Sequence, residues 1–176
     1  EFEKDEMRHT LNKSIVLFQS GISEVKNGDY LVARSTFVES YKIFVDTELT
    51  IRANHPFVTA VMNIAPNKIP AWSSVNNALE IGRLASNAGI IISESLYLIH
   101  EKNTDLKEQE IDTLIDSNIE VELIVRKISD LIEGINLSII PEEEKHLANI
   151  LKSSIPNIEH AVKESINIIN FNAALL

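Results

Sequence analysis

Apolar residues in the first segment recur at Met7, Leu11, Ile15, Phe18, Ile22 and Val25, in steps of three and four that stack side chains on one face of a helix. The spacing predicts a helix over residues 3–26. Asn27-Gly28 then supplies a break, because both residue types accept left-handed backbone at a helix C-terminus, and Asp29 stands where it can cap the next helix. A second apolar face, Tyr30, Ala33, Phe37, Tyr41 and Phe44, predicts a helix over residues 30–53. Together these form an antiparallel helical hairpin. Gly28 is expected at the helix boundary with positive φ, and Ala33 and Phe37 are expected to be buried.

The pattern loosens over residues 54–73, where Pro56, Pro66 and Pro70 remove backbone donors and disfavour helix at the residue before each. This predicts a long link holding one short helical piece near residues 57–62. Ser73 or Ser74 is placed to cap a third helix reaching residue 101, apolar at Val75, Leu79, Ile81, Leu84, Ala88, Ile92, Leu96 and Ile99. Gly82 and Gly89 lie seven apart in it, on a face that another backbone could approach closely. A turn over residues 102–105 precedes a fourth helix over residues 106–133, ended by Gly134. Pro141 followed by Glu142, Glu143 and Glu144 starts a fifth, since proline needs no donor there and carboxylates favour the positive end of the helix dipole. That helix runs to about residue 171, with a kink or break near residues 153–155 ahead of Pro156. No stretch alternates with a period of two. The reading is a single all-α domain over residues 1–176: an antiparallel bundle of about five helices, with a Pro-containing long link (54–73) and a kinked last helix.

Charge narrows the partners. Sixteen Lys and Arg against 26 Asp and Glu give a formal net charge of -10, which repels nucleic-acid phosphates and anionic headgroups. No nucleic acid and no direct headgroup binding are expected. The absence of cysteine removes disulfides, thiolate metal sites and a cysteine nucleophile. The longest strongly apolar run, residues 88–92, is far short of the roughly 20 residues that cross a bilayer. The chain opens Glu1-Phe2 without an initiator methionine, which reads either as the left edge of an excised domain or as a cloning scar; the expectation is a domain excised from a longer protein, with any anchor outside it.

Residues 21–40 resemble one tetratricopeptide-like hairpin. Gly28 and Asp29 stand at the turn, Tyr30, Ala33 and Phe37 at the packing positions, Ser40 where a small residue is wanted, and Gly21 at the small position of the first helix. Such solenoids need about three or more repeats at a period near 34 residues, and no second copy follows from Phe57 onward. A lone hairpin with close helix contact is therefore expected, not a peptide-gripping array.

Over nearly its whole length the chain is similar to a second family. The hairpin "NGDYLVARSTF", the proline-bearing "NIAPNKIPAWSSVNNALEIGRLASNAG" and the closing "LANILKSSIPNIEHAVKESINIINFNAALL" resemble the helical extracytoplasmic region of proteins carrying domain of unknown function 4012. Gly28, Asp29 and Ala33 match the hairpin of that family, and Pro66 or Pro70 its link. The family's link often has a glycine after the proline, where this chain has Asn67 or Ala71. The resemblance implies an extracytoplasmic module of a membrane-anchored surface protein, and implies no reaction.

Candidate chemistry changes little. Glu6-x-x-His9 and Glu143-x-x-His146 have the one-turn spacing of carboxylate-bridged di-iron bundles. Two further inward glutamates would be needed, and Glu143 is already explained as a dipole-facing first-turn residue. His55, His100 and His160 are isolated and read as surface groups. Asn12-Lys13-Ser14 and Asn136-Leu137-Ser138 are glycosylation sequons, relevant only to a chain on the outer surface. Trp72, the single tryptophan, reads as the cover of a bundle end that ties the link down. No phosphate loop or nucleophile motif is present. No catalytic, cofactor-binding or metal residues are assigned, and no cofactor. The expectation is a noncatalytic spacer or interaction platform whose partner is another protein or a cell-surface component. A ligand-sensing ectodomain, suggested by the long link, and a metal-dependent bundle enzyme are the alternatives.

Overall fold

The computed structural model describes residues 2–54, 70–102 and 106–133 and the single positions 156, 160 and 167; side chains 2–8, 11 and 70–75 lie outside that description. Within this set every position except 28, 29, 106 and 107 is helical, so the all-α class holds. The described helices are α1 (Phe2–Asn27), α2 (Tyr30–Asn54), α3 (Pro70–Lys102) and α4 (Glu108–Glu133).

Gly28 ends α1 with φ of 85°, a conformation that glycine adopts without the Cβ penalty of other residues. The Gly28 N–H donates to the Val25 carbonyl at 3.1 Å and the Asp29 N–H to the Glu24 carbonyl at 2.9 Å. These are the paired bonds of a Schellman C-cap. The Asp29 carbonyl in turn accepts from the Ala33 N–H at 2.9 Å, which starts α2 at once and folds it back along α1. Ala33 and Phe37 are buried as expected.

The start of α4 has a different cause. The Lys107 carbonyl accepts from the Ile111 N–H at 3.0 Å, and the Lys107 N–H donates to the Glu110 carboxylate at 2.9 Å. That is the return half of a capping box. Leu106 and Ile111, flanking this cap, are both buried in one cluster with Ile99 and Leu114. They act as a hydrophobic staple that sets the angle at which the chain enters α4.

Two boundaries differ from the sequence reading. The third helix begins at Pro70, not at Ser73 or Ser74, because proline needs no donor and has a helical φ in a first turn. The link read as residues 54–73 is therefore shorter at both ends, Asn54 belonging to α2 and residues 70–73 to α3. The fourth helix starts two residues later than expected, at Glu108. The short helical piece near residues 57–62, the fifth helix and the kink near residues 153–155 lie outside the described residues; Pro156, His160 and Asn167 are helical and exposed.

Cross-helix contacts fix the packing. Ser14 meets Ser40 and Lys13 meets Glu39 across α1 and α2, and Arg34 pairs with Glu94 across α2 and α3. Lys127 pairs with Glu80, and Lys102 with Glu110, across α3 and α4. Phe18–Phe37 with Ser14–Ser40, Arg34–Glu94 with Ser40–Ser86, and Lys127–Glu80 with Lys102–Glu110 each pair rising with falling residue numbers, so consecutive helices are antiparallel. α2 packs on α1 and α3, and α4 packs on α3.

The α2 contact face is Ala33, Phe37, Ser40, Phe44 and Thr47, alternating steps of four and three. This is the 3.5-residue repeat of helices lying at a shallow mutual angle. Tyr41, expected on that face, is only half-buried, and the serine and threonine take its place.

Candidate functional site

The most constrained part of the molecule is the seam where α2 enters between α1 and α3. Phe37 meets Phe18 edge-on, with ring centroids 5.6 Å apart and planes at 61°, an arrangement that sets a positive ring edge on a negative ring face. A Cβ placed on Gly21 of α1 would stand 2.7 Å from the Phe37 ring, and one on Gly89 of α3 would stand 2.6 Å from it. Phe37 is thus held between two glycines. One helical repeat along, the ring of Phe44 occupies the space a side chain at Gly82 would need. Gly82 and Gly89 share a face, as expected, but what fills the space over them is a phenyl ring and not a second backbone.

Between the two rings lies a polar layer. The Ser40 hydroxyl donates to the Ser14 carbonyl at 2.9 Å and lies 3.0 Å from the Ser86 hydroxyl. A hydroxyl has one proton, and that of Ser40 is committed to the carbonyl, so Ser86 donates to Ser40. Ser14, Ser40 and Ser86 are all fully buried. Ser93 and Thr47 satisfy their hydroxyls on the carbonyls of Gly89 and Ile43, four residues back. The buried polar residues of the described set are serines, a threonine and one asparagine. None of them is ionisable.

Two solvent-facing arrangements remain. At the end of the bundle carrying the Gly28 turn, the Tyr30 and His100 rings lie edge to face at 5.9 Å. Nearby in α3, Tyr97 donates to Glu101, and that hydrogen bond followed by the charge of the carboxylate pushes the phenol above its usual range. Along α4, Ile115, Ile119 and Leu123 are 41%, 53% and 59% exposed and follow one another at steps of four. This is a continuous apolar stripe, whereas the exposed Val16, Leu31, Val32 and Leu49 are scattered over α1 and α2. The carboxylates of Asp112, Asp116 and Glu122 flank the stripe and are exposed.

Among the described residues, the histidines singled out in the sequence are not brought together. His9 and His100 are exposed on α1 and α3, and His160 is exposed elsewhere. Glu143, His146, His55 and Asn136 lie outside the described residues, as do the side chains of Glu6 and Trp72. Among the described residues no three His, Asp or Glu side chains gather as a metal ion would require. In the first sequon Asn12 is exposed but Ser14 is buried against α2. A transferase that reads the serine hydroxyl would therefore have to act before the hairpin closes. Among the described residues no helix is long and apolar enough to cross a membrane.

Comparison with protein-family models, with curated proteins and with solved structures gives no match.

The Ser40–Ser86 layer and the α4 stripe were both missed by sequence reasoning. Ser40 was placed as a small packing residue by the tetratricopeptide-like hairpin, but serine scores as polar in a hydropathy pattern, and nothing marked its hydrogen bond to Ser86. The stripe had a signal in the surplus of apolar residues in α4. That helix has Ile115, Ile119 and Leu123 in addition to the buried set Ile111, Leu114, Val121, Ile124 and Ile128.

Proposed function

We propose that this chain is a noncatalytic helical module of a membrane-anchored surface protein, lying outside the cytoplasm and serving as a spacer and protein-interaction platform. The observation that carries the reading is α3. Its 33 residues make a rod about 50 Å long at 1.5 Å per residue, gripped by α2 on one face and by α4 on another. Such a doubly supported helix resists bending, which suits a part that holds other parts at a fixed separation. The resemblance of the helix order to the extracytoplasmic region beside domain of unknown function 4012 supports the same role. The uncharged, hydrogen-bonded character of the buried polar layer agrees with it, since that layer orders helices instead of perturbing a titratable group. In this reading the complete architecture is a five-helix bundle, with the Pro-bearing link joining α2 to α3 and a last helix kinked at Pro156.

The test is the full-length gene product and its topology. An N-terminal hydrophobic anchor, a further domain after Leu176 and labelling of Lys13 or Lys42 by a membrane-impermeant amine reagent on intact cells are the expected results. A full-length protein with neither anchor nor following domain, or one protected from the reagent until cells are lysed, refutes the proposal.

A further inference from the structure

The outer face of α4 is apolar along its middle and acidic around it. At 100° per residue, Glu108, Asp112, Asp116, Glu122 and Asp130 all project to the same side as Ile115, Ile119 and Leu123, and Arg126 is the one cation among them. All six charged residues are exposed. Elsewhere the bundle pairs its charges between helices, as in Lys13–Glu39, Arg34–Glu94 and Lys127–Glu80. Among the described residues none of these five carboxylates is in an ion pair.

We propose that this face docks a basic amphipathic helix of a partner protein, with apolar residues at steps of three and four laid along the stripe and lysines or arginines set against the flanking carboxylates. Charge selects the occupant. A second copy laid parallel would set like charge against like throughout, and one laid antiparallel about Ile119 would still set Asp116 against Glu122 and Glu108 against Asp130, leaving only Arg126 and Asp112 complementary. Nucleic acid and anionic membranes are repelled for the same reason. A cationic helix matches both features, since its apolar edge covers the three side chains while its rim pairs with exposed carboxylates that are in no ion pair among the described residues. Steps of four along a single helix present a narrow straight ridge, the shape that an amphipathic helix packs against. This deepens the interaction-platform reading and rests on it. Its failure would leave the anchored-spacer reading untouched, because that is decided by topology and flanking sequence.

The test is titration of the purified 176-residue chain with a fluorescein-labelled helical peptide of leucine and lysine, its leucines at steps of three and four, followed by fluorescence polarisation at physiological salt. A peptide of the same composition, scrambled to have no apolar edge, is the control. Saturable binding is expected, weaker by about tenfold or more for the scrambled peptide and for the double variant Ile119→Ser/Leu123→Ser, as for loss of central anchors. Leu49→Ser, on α2, should leave it unchanged. The triple variant Asp112→Asn/Asp116→Asn/Glu122→Gln should weaken binding and flatten its salt dependence. Because all these side chains are exposed, the variants should unfold at the wild-type midpoint, which circular dichroism checks. No saturable binding, equal binding of the scrambled peptide, or full binding by the Ile119→Ser/Leu123→Ser chain overturns the proposal. So does a concentration-dependent dimer that this double variant abolishes, which would assign the stripe to a second copy.

Discussion

The two faces of α3 solve the same packing problem in opposite ways. Toward α2 it presents Gly82, Ser86 and Gly89, and α2 answers with the large rings of Phe37 and Phe44 around Ser40. Toward α4 it presents Ile81, Ala85, Ala88, Ile92 and Ile99, which meet Leu114, Val121, Ile124 and Ile128. Both faces keep the heptad spacing, so periodicity does not distinguish them. What differs is where the volume sits. On the α2 side it is concentrated in two rings that enter glycine-floored recesses. On the α4 side it is shared among several Ile, Leu and Val side chains, with Ala85 and Ala88 between them. A seam of the first kind defines one register, because a ring displaced by one step meets a side chain where it needs a glycine. A seam of the second kind accepts neighbouring arrangements at lower cost, since volume-conserving hydrophobic exchanges are the ones cores tolerate best.

The sharpest way to break this contrast is to remove a ring. Phe37 is buried against Phe18, Gly21 and Gly89 at once, and glycines have no side chains to collapse into the space it leaves. Phe37→Ala should therefore destabilise the chain by about 3–5 kcal/mol, the range for large aromatic truncations. Urea denaturation followed by helical circular dichroism measures it. A loss below about 2 kcal/mol would mean that the recess closes, contrary to the rigid-seam picture.

Adding volume probes the same seam with a smaller effect and an instructive sign. In an exposed helix interior Gly→Ala stabilises by roughly 1 kcal/mol. At Gly89 the new methyl meets the Phe37 ring at 2.6 Å, and that ring is held from the other side at Gly21. Overpacking of this kind costs about 1–3 kcal/mol, so Gly89→Ala should be destabilising by about 1 kcal/mol despite its better helix propensity. Combining it with Phe37→Leu, which withdraws the ring, should give a double variant more stable than the sum of the two single losses. Additive losses, or a Gly89→Ala chain more stable than wild type, would show that ring and glycine are not coupled.

The hairpin was legible in the sequence for identifiable reasons. Among the described residues Gly28 is the one position where backbone conformation demands a particular residue, and the run Ala33, Phe37, Phe44 shows its period in any hydropathy reading. Less of the seam was visible. Gly82 and Gly89 marked a close approach without saying what approaches, because a glycine records a missing side chain and not the identity of its neighbour. The hydrogen bonding of Ser40 with Ser86 was hidden, since a buried hydroxyl that bonds across helices is indistinguishable in sequence from an exposed one. The start of α3 at Pro70 was misread as link because proline signals either a break or a first turn. As for the α4 stripe, period alone cannot say which of several apolar rows on one helix is covered. That depends on how many neighbours the helix has.

The smallest expected effect belongs to the α4 side, at the cap that begins the helix. The carboxylate of Glu110 accepts the Lys107 N–H at 2.9 Å, and its other oxygen lies 3.4 Å from the Lys102 ammonium. The backbone hydrogen bond first, and the neighbouring lysine charges after it, hold this carboxyl below the ordinary glutamate value of 4.5. A group whose folded pKa is depressed adds stability that is fully present above its unfolded pKa and is lost as the pH falls through the folded value. Glu110→Gln keeps an acceptor oxygen for the Lys107 N–H but removes the charge. The variant should therefore be slightly less stable than wild type at neutral pH, and the difference should vanish as the solution is taken below the carboxylate range. Denaturant midpoints of the two chains across that range measure it. A gap that stays constant into acid would assign the effect to cap geometry and not to charge. It would also bring the α4 side closer to the α2 side, where ring packing and buried neutral hydrogen bonds form the seam.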